Sequence, residues 1–199
     1  MYDIYSEKSF SWNGISQNNR NRLLWDNALN VDGAKTGYTE NAGYSLVSSA
    51  TQGDMRLIAV VMGTPGRRTR LEESRKLLTY GFRFFESTEQ IKAGDTAVTE
   101  ILWMGKNNTI ELTVADDVYT ILPRGAAESL VVEYDIRTPV KAPVEAGQVL
   151  GEVRWILNDN IVQNVPLVST NAIKQGSLIE RFMDSIKLFV FNLKERLFA

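Results

Sequence analysis

Lys35, Thr36 and Gly37 put an ammonium, a hydroxyl and a residue without a side chain in consecutive positions. They follow Val31-Asp32-Gly33-Ala34 and read as the exposed end of a strand. A glycine there leaves room for a ligand backbone to come close. The ammonium and hydroxyl are donors suited to a carboxylate. Arg70 is a second candidate, because the spacing places it near the start of a helix and a guanidinium grips a carboxylate with two parallel bonds. Spacing alone leaves blander readings open: a surface lysine at a strand end, and a solvated arginine beside Arg67 and Arg68.

The rest of the composition limits what such a site can be. The 199-residue chain contains no histidine and no cysteine. That excludes disulfides, Cys/His zinc sites, thiol nucleophiles and every arrangement with an imidazole base. Any proton carrier must be Lys, Tyr or a carboxylate, and no cofactor or metal is implied. A net charge of −2 gives no general pull toward nucleic acid. Hydrophobic residues at 44% and charged residues at 23% suit an ordinary globular chain. No apolar run reaches the ~18 residues that span a bilayer. Met1 to Lys8 is polar and lacks the apolar segment of a signal peptide.

These residues need elements to hold them. Asn13-Gly14 between Ser9-Phe10-Ser11-Trp12 and Ile15-Ser16-Gln17-Asn18 predicts a hairpin, and Arg20 to Trp25 predicts a brief helical segment. The Lys35 strand, Tyr44–Ala50 and Arg56–Gly63 predict a consecutive antiparallel meander, with Gln52-Gly53-Asp54 as a tight turn. Leu57 to Met62 is apolar on both faces, which predicts a central, buried strand. After the Thr64-Pro65-Gly66 break, Leu71, Ser74, Leu77, Leu78, Gly81, Phe82 and Phe85 recur at helical spacing. A helix over 67–85 packed across the sheet is expected.

Composition changes near Ser87-Thr88-Glu89. Beyond it, short turn-bounded segments predict strands over 96–103, 109–114, 118–122, 130–135, 148–157 and 161–168, the pattern of a small all-β sandwich. Asp116, Asp117, Glu133 and Asp135 read there as solvated acids. After Gln175-Gly176, residues 178–199 form an amphipathic helix rich in Phe and Leu. Phe182, Ile186, Phe189, Val190 and Leu193 lie on its apolar face. A terminal position and a wide Phe-rich face favour an in-plane membrane anchor over a core helix.

Lys-Thr-Gly is one of three motifs that occur together in serine β-lactamases and penicillin-binding proteins. The other two are not placed here. No serine has lysine three residues on, and the three S-x-N matches, at Ser11, Ser16 and Ser169, read as hairpin and loop residues. Trp12-Asn13-Gly14, Asn21 to Asp26, Val31 to Gly37, Ala42-Gly43-Tyr44, Arg56 to Gly63 and Arg75-Lys76-Leu77-Leu78 together resemble the D-alanyl-D-alanine carboxypeptidases. These are the low-molecular-mass penicillin-binding proteins of type five and six. The likeness runs over essentially the whole chain. A β-lactamase fragment fits less well, because that group has neither the β-rich second domain nor the tail.

The resemblance implies an α+β fold in three parts. Residues 1–88 would be the C-terminal portion of a transpeptidase-like domain, an antiparallel sheet with a packed helix. Residues 89–175 would be the β-rich domain and 176–199 the anchor helix. It also implies a serine-type carboxypeptidase on the periplasmic side of the bacterial inner membrane. The substrate would be peptidoglycan pentapeptide ending in D-Ala-D-Ala, and the complete enzyme would bind β-lactam antibiotics. Carried over by position, Lys35, Thr36 and Gly37 would line the site, Thr36 and Arg70 would hold the terminal carboxylate, and the Tyr38 backbone N–H would form half of an oxyanion hole. Family members often carry histidine where Tyr38 stands.

The nucleophilic serine, its lysine and the S-x-N motif lie upstream in the family. The chain is therefore expected to be a C-terminal fragment, inactive alone, with Leu57–Met62 and part of the helix face left exposed. A non-catalytic module that binds the envelope or anchors to the membrane is the alternative.

Overall fold

The structure is a computed structural model that describes residues 2–198, with side chains through Val190. Contacts divide it into two units. The first comprises the residues up to Ser87 together with Ile121–Arg124, and the second comprises Thr88–Thr120 and the chain from Gly125 onward.

In the first unit, β1 (Ser9–Trp12) and β2 (Ile15–Asn18) form the expected hairpin. Asn13 and Gly14 both take positive φ, 48° and 77°, as a two-residue hairpin turn requires. A single 3-10 turn follows at Arg22–Trp25. The buried Asn21 fixes it: its side chain accepts from the Leu23 N–H and donates to the Gly33 carbonyl. Then come β3 (Asn30–Thr39), β4 (Gly43–Gln52) and β5 (Met55–Thr64), an antiparallel meander in the order β3-β4-β5.

Helix α1 (Arg67–Phe84) covers one face of this sheet. Its buried residues are Arg70, Ser74, Leu78 and Phe82, a single row at four-residue spacing. This row is narrower than the expected stripe, and Leu77 is exposed. Gly81 lets the helix approach the sheet, since a Cβ there would collide with the Leu57 side chain. Leu23, Leu24, Val31, Leu46, Ala50, Met55, Ala59, Leu78 and Phe82 form the core.

The reading of Leu57–Met62 as a central, fully buried strand is corrected, and the expectation that this run stays partly exposed holds. Among the described residues β5 pairs only with β4, and α1 covers one of its faces. Ala59 and Val61 point inward, while Ile58, Val60 and Met62 are 67%, 56% and 73% exposed. A run apolar on both faces is a sequence fitted for two covers, and the described residues supply one.

Strand β6 (Phe85–Ile91) follows the helix directly. It runs through Ser87-Thr88-Glu89, where the composition changes and no strand was predicted. Its polar centre carries no alternating apolar signal, and pairing with β9 (Val118–Pro123) is what makes it a strand. Arg124, just past β9, donates to the carbonyls of Phe82 and Arg83.

The second unit is built on one six-stranded sheet. Its strands are β7 (Val98–Trp103), β8 (Thr109–Thr113), β10 (Val131–Ile136), β11 (Val140–Lys141), β12 (Val149–Leu157) and β13 (Asn160–Ser169). The order is β10-β12-β13-β8-β7-β11, antiparallel except for β11 along β7. Asn158 and Asp159, at φ 50° and 62°, make the tight β12–β13 turn. Leu102, Ile110, Leu112, Val114, Val118, Val153, Trp155 and Leu167 are among the residues of one continuous core. Of the acids read as solvated, Asp117 accepts from the Ala93 N–H and Asp135 pairs with Arg154.

Helix α2 (Leu178–Phe198) packs against β7. Ser177 and Glu180 form a reciprocal cap at its start. Among its described side chains Asp184 and Leu188 are buried, 8% and 6% exposed, and the Asp184 carboxylate accepts from the Met104 N–H at 2.9 Å. Phe182, Ile186, Phe189 and Val190 stay exposed. The side chain of Leu193, placed by sequence on the same apolar face, lies outside the described residues. Among the described residues no helix is long and apolar enough to cross a membrane.

Candidate functional site

Lys35, Thr36, Gly37 and Tyr38 occupy the outer half of β3, which pairs with β4 on one side only. Their partners are Val47, Leu46, Ser45 and Tyr44. The directly opposed Tyr38 and Tyr44 stack, with ring centroids 4.3 Å apart. Gly37 is not needed by the fold. Its φ is not positive, and an added Cβ would meet only the Ser45 Cβ, at 3.7 Å. A side chain at this position would therefore meet little of the protein.

Arg70 lies close by. It is only 7% exposed, and its Nη1 donates to the Gly37 carbonyl at 3.1 Å and to the Ser45 carbonyl at 3.3 Å. The Tyr44 ring is 5.6 Å from the guanidinium carbon. Helix α1 thus brings Arg70 against the Lys35 strand, and the arginine is not a solvated residue. Burial lowers its pKa below the usual arginine value; the Arg67 and Arg20 charges push the same way and Tyr44 opposes them. Lys35 is exposed, and its Nζ donates to the neighbouring Thr36 carbonyl at 2.6 Å.

These residues share a cavity of about 770 Å³ with Asn18, Asn19, Arg20, Arg22, Tyr44 and Arg67. Five cations line it and no carboxylate does. Sequence reading missed Arg20, Arg22 and the pocket role of Arg67. Two signals were available. Arg20-Asn21-Arg22 precedes a capped turn. The first turn of α1 holds Arg67, Arg68 and Arg70 and no acid, against the helix dipole. Asn19 and Asn21 hold the Arg20–Arg22 segment. Asn19 donates to the Tyr5 and Glu7 carbonyls and accepts from the Asn21 N–H, while Asn21 bonds Gly33 on β3. Asp32, on the same strand, lies outside this cavity. Burial raises its pKa, but hydrogen bonds from Arg56 and Ser49 and the Arg56 charge outweigh that, and the net shift is downward.

Chemically, the cavity can bind an anion at the end of an open strand edge. Its lining contains no serine or other paired nucleophile.

Comparison with known proteins gives this arrangement its class. Residues 1–66 match the family model of D-alanyl-D-alanine carboxypeptidases, and residues 85–175 match that of the penicillin-binding protein 5 C-terminal domain. The chain belongs to the D-alanyl-D-alanine carboxypeptidase family. Within it, the match is to the C-terminal part of the type 5 and 6 penicillin-binding proteins.

D-alanyl-D-alanine carboxypeptidase DacA of Escherichia coli K12 is 46% identical over 188 residues, which is 94% of this chain and 47% of the relative. DacC of the same strain is 44% identical over the same shares. The crystal structure of penicillin-binding protein 5 from Haemophilus influenzae superposes with a TM-score of 0.81 at 40% identity, covering 87% of this chain and 51% of that one. The chain spans about half the length of the curated relatives it matches.

Proposed function

We propose that this chain supplies the carboxylate-holding wall of a serine-type D-Ala-D-Ala carboxypeptidase acting on peptidoglycan pentapeptides. The observation that carries the reading is the convergence of Lys35, Thr36, Gly37 and the buried Arg70 on one acid-free cavity at an unpaired strand edge. In this reading Thr36 and Arg70 take the terminal carboxylate, Lys35 lines the site, and the Tyr38 N–H is half of the oxyanion hole. A serine outside this sequence attacks the penultimate carbonyl, the C–N bond to the last D-alanine breaks, and water releases the acyl group. β-Lactams are ligands of the complete enzyme for the same reason.

The chain alone has no S-x-x-K pair and forms no acyl-enzyme. Fluorescent penicillin tests this. The chain is expected to remain unlabelled, and a stoichiometric covalent adduct would falsify the assignment.

The reading divides the chain at 1–88, 89–175 and 176–199, and the last part carries the membrane contact. Its support is the exposed row of Phe182, Ile186, Phe189 and Val190 opposite the buried Asp184 and Leu188. Such a helix lies in the headgroup region, on the periplasmic side of the inner membrane for an enzyme of the cell wall. In vesicle flotation, Phe182→Glu with Phe189→Glu is expected to release the chain. Unchanged flotation of that variant sinks the anchor.

A further inference from the structure

We infer that the cavity beside β3 has a second anion subsite, built by Arg20 and Arg67, for a side-chain carboxylate upstream of the terminal one. Its ligand class is a peptide with two carboxylates. The inference rests on the reading of Thr36 and Arg70 as the terminal-carboxylate site.

A single carboxylate does not account for the charge present. Lys35, Arg20, Arg22, Arg67 and Arg70 line one cavity, and none of them makes an ion pair among the described residues. Elsewhere on α1, Arg68 pairs with Glu72, Arg75 with Asp26 and Lys76 with Glu73, while Arg83 lies over the Phe84 ring. Arg67 and Arg70, which face the cavity, make no ion pair among the described residues.

The start of α1 makes the mismatch worse. The N-cap is Gly66, without a side-chain hydrogen bond, and the first turn holds no acid. The positive end of the helix therefore adds to the arginine charges. Such an arrangement repels itself and lowers stability, so it calls for an anion from outside.

The cations also divide by position. Arg70 is buried and bonded to the β3 and β4 carbonyls, so its charge is fixed at the inner end. Arg20 and Arg67 are exposed, and their charges add to the burial that lowers the Arg70 pKa. The cavity, at about 770 Å³, has room for more than a terminal residue.

The full chain is titrated by amide NMR at low ionic strength. The probes are N-acetyl-Glu-D-Ala-D-Ala and its Gln counterpart, which differ by one carboxylate. The Glu peptide is expected to bind about tenfold tighter, the worth of one charge-assisted pair. Arg20→Gln with Arg67→Gln should erase that ratio and leave the Gln peptide within about twofold of its original affinity. Arg68→Gln removes one charge from the same turn outside the cavity and should preserve the ratio.

Equal binding of both peptides to the unaltered chain overturns the subsite. So does loss of the ratio in Arg68→Gln, which would make it an effect of net charge. Failure of the underlying reading looks different: Arg70→Gln would then leave both affinities unchanged, while the Glu-to-Gln ratio still decides the subsite. If neither peptide binds, both readings fall.

Discussion

The two units bury their apolar residues in different ways. In the second, a six-stranded sheet and the start of the β6–β9 ribbon enclose a core that runs from Leu102 to Leu167. In the first, a three-stranded sheet has α1 on one face and Ile58, Val60 and Met62 bare on the other. The candidate site lies on the half-covered sheet. Antiparallel sheets can face water on one side, but that side is then polar. An apolar uncovered face means that the sheet was shaped for a further layer. The unit with the chemistry is thus the less self-sufficient one, and the unit without it is closed.

The sharpest way to break this comparison is to cut into both cores. Leu112 and Leu78 are each almost fully buried, one in each unit. Leu112→Ala and Leu78→Ala should each cost about 2–5 kcal/mol. They should act on different amides. Hydrogen exchange of the unaltered chain should show stronger protection in β8, β12 and β13 than in β3, β4 and β5. Leu78→Ala should then erase protection in the first unit and leave the second intact. Equal protection in both units, or loss across both from one substitution, would dissolve the contrast.

A smaller effect is expected at Asp184. Its buried carboxylate accepts from the Met104 N–H, in a residue held at φ 59°. Asp184→Ala leaves that donor unpaired and should cost about 1–3 kcal/mol. The loss should appear as faster exchange at Met104 and through α2, with β12 and β13 unchanged. Unaltered exchange at Met104 would mean that Asp184 does not fasten the helix.

Smaller still is the acid response of the first unit. The pKa of Asp32 is depressed on folding, so it stabilises the fold above its unfolded value of about 4. That contribution is lost as pH falls through the lower folded value. Asp32→Asn should be less stable than the parent at neutral pH and should show a flatter decline below about pH 4. Parallel pH profiles for the two proteins would remove Asp32 from the acid response.

Much of this fold was legible in the sequence, for identifiable reasons. Asn13-Gly14 dictates a turn through backbone conformation alone, and its hairpin forms. The meander and α1 follow from apolar periodicity. What was not legible depended on partners distant in the chain. β6 is a strand because of β9, and its polar centre gives no local sign of that. The site divided in the same way. Lys35-Thr36-Gly37 could be found from one triplet, and Arg70 from its place after the last strand. Arg20 and Arg67 become site residues only when the capped turn at Asn21 and the start of α1 meet at β3. Periodicity alone made Leu57–Met62 a fully buried strand, because it reports the burial a segment is fitted for; the missing upstream motifs are what pointed to its exposed face.

That last point gives the smallest predicted effect and the most direct check on the bare face. Ile58→Thr with Val60→Thr keeps the β-branched shape that suits a strand and removes two apolar side chains from water-exposed positions. In a strand buried on both faces such a pair would cost several kcal/mol. On the sheet described here each change should fall within about ±0.5 kcal/mol of neutral, because no packed neighbour is lost. Solubility should rise, since a contiguous exposed apolar patch promotes association. Urea unfolding of the two proteins and light scattering at increasing concentration read the two quantities separately. A large destabilisation would mean that something covers Ile58 and Val60 in solution, and the first unit would then be as closed as the second.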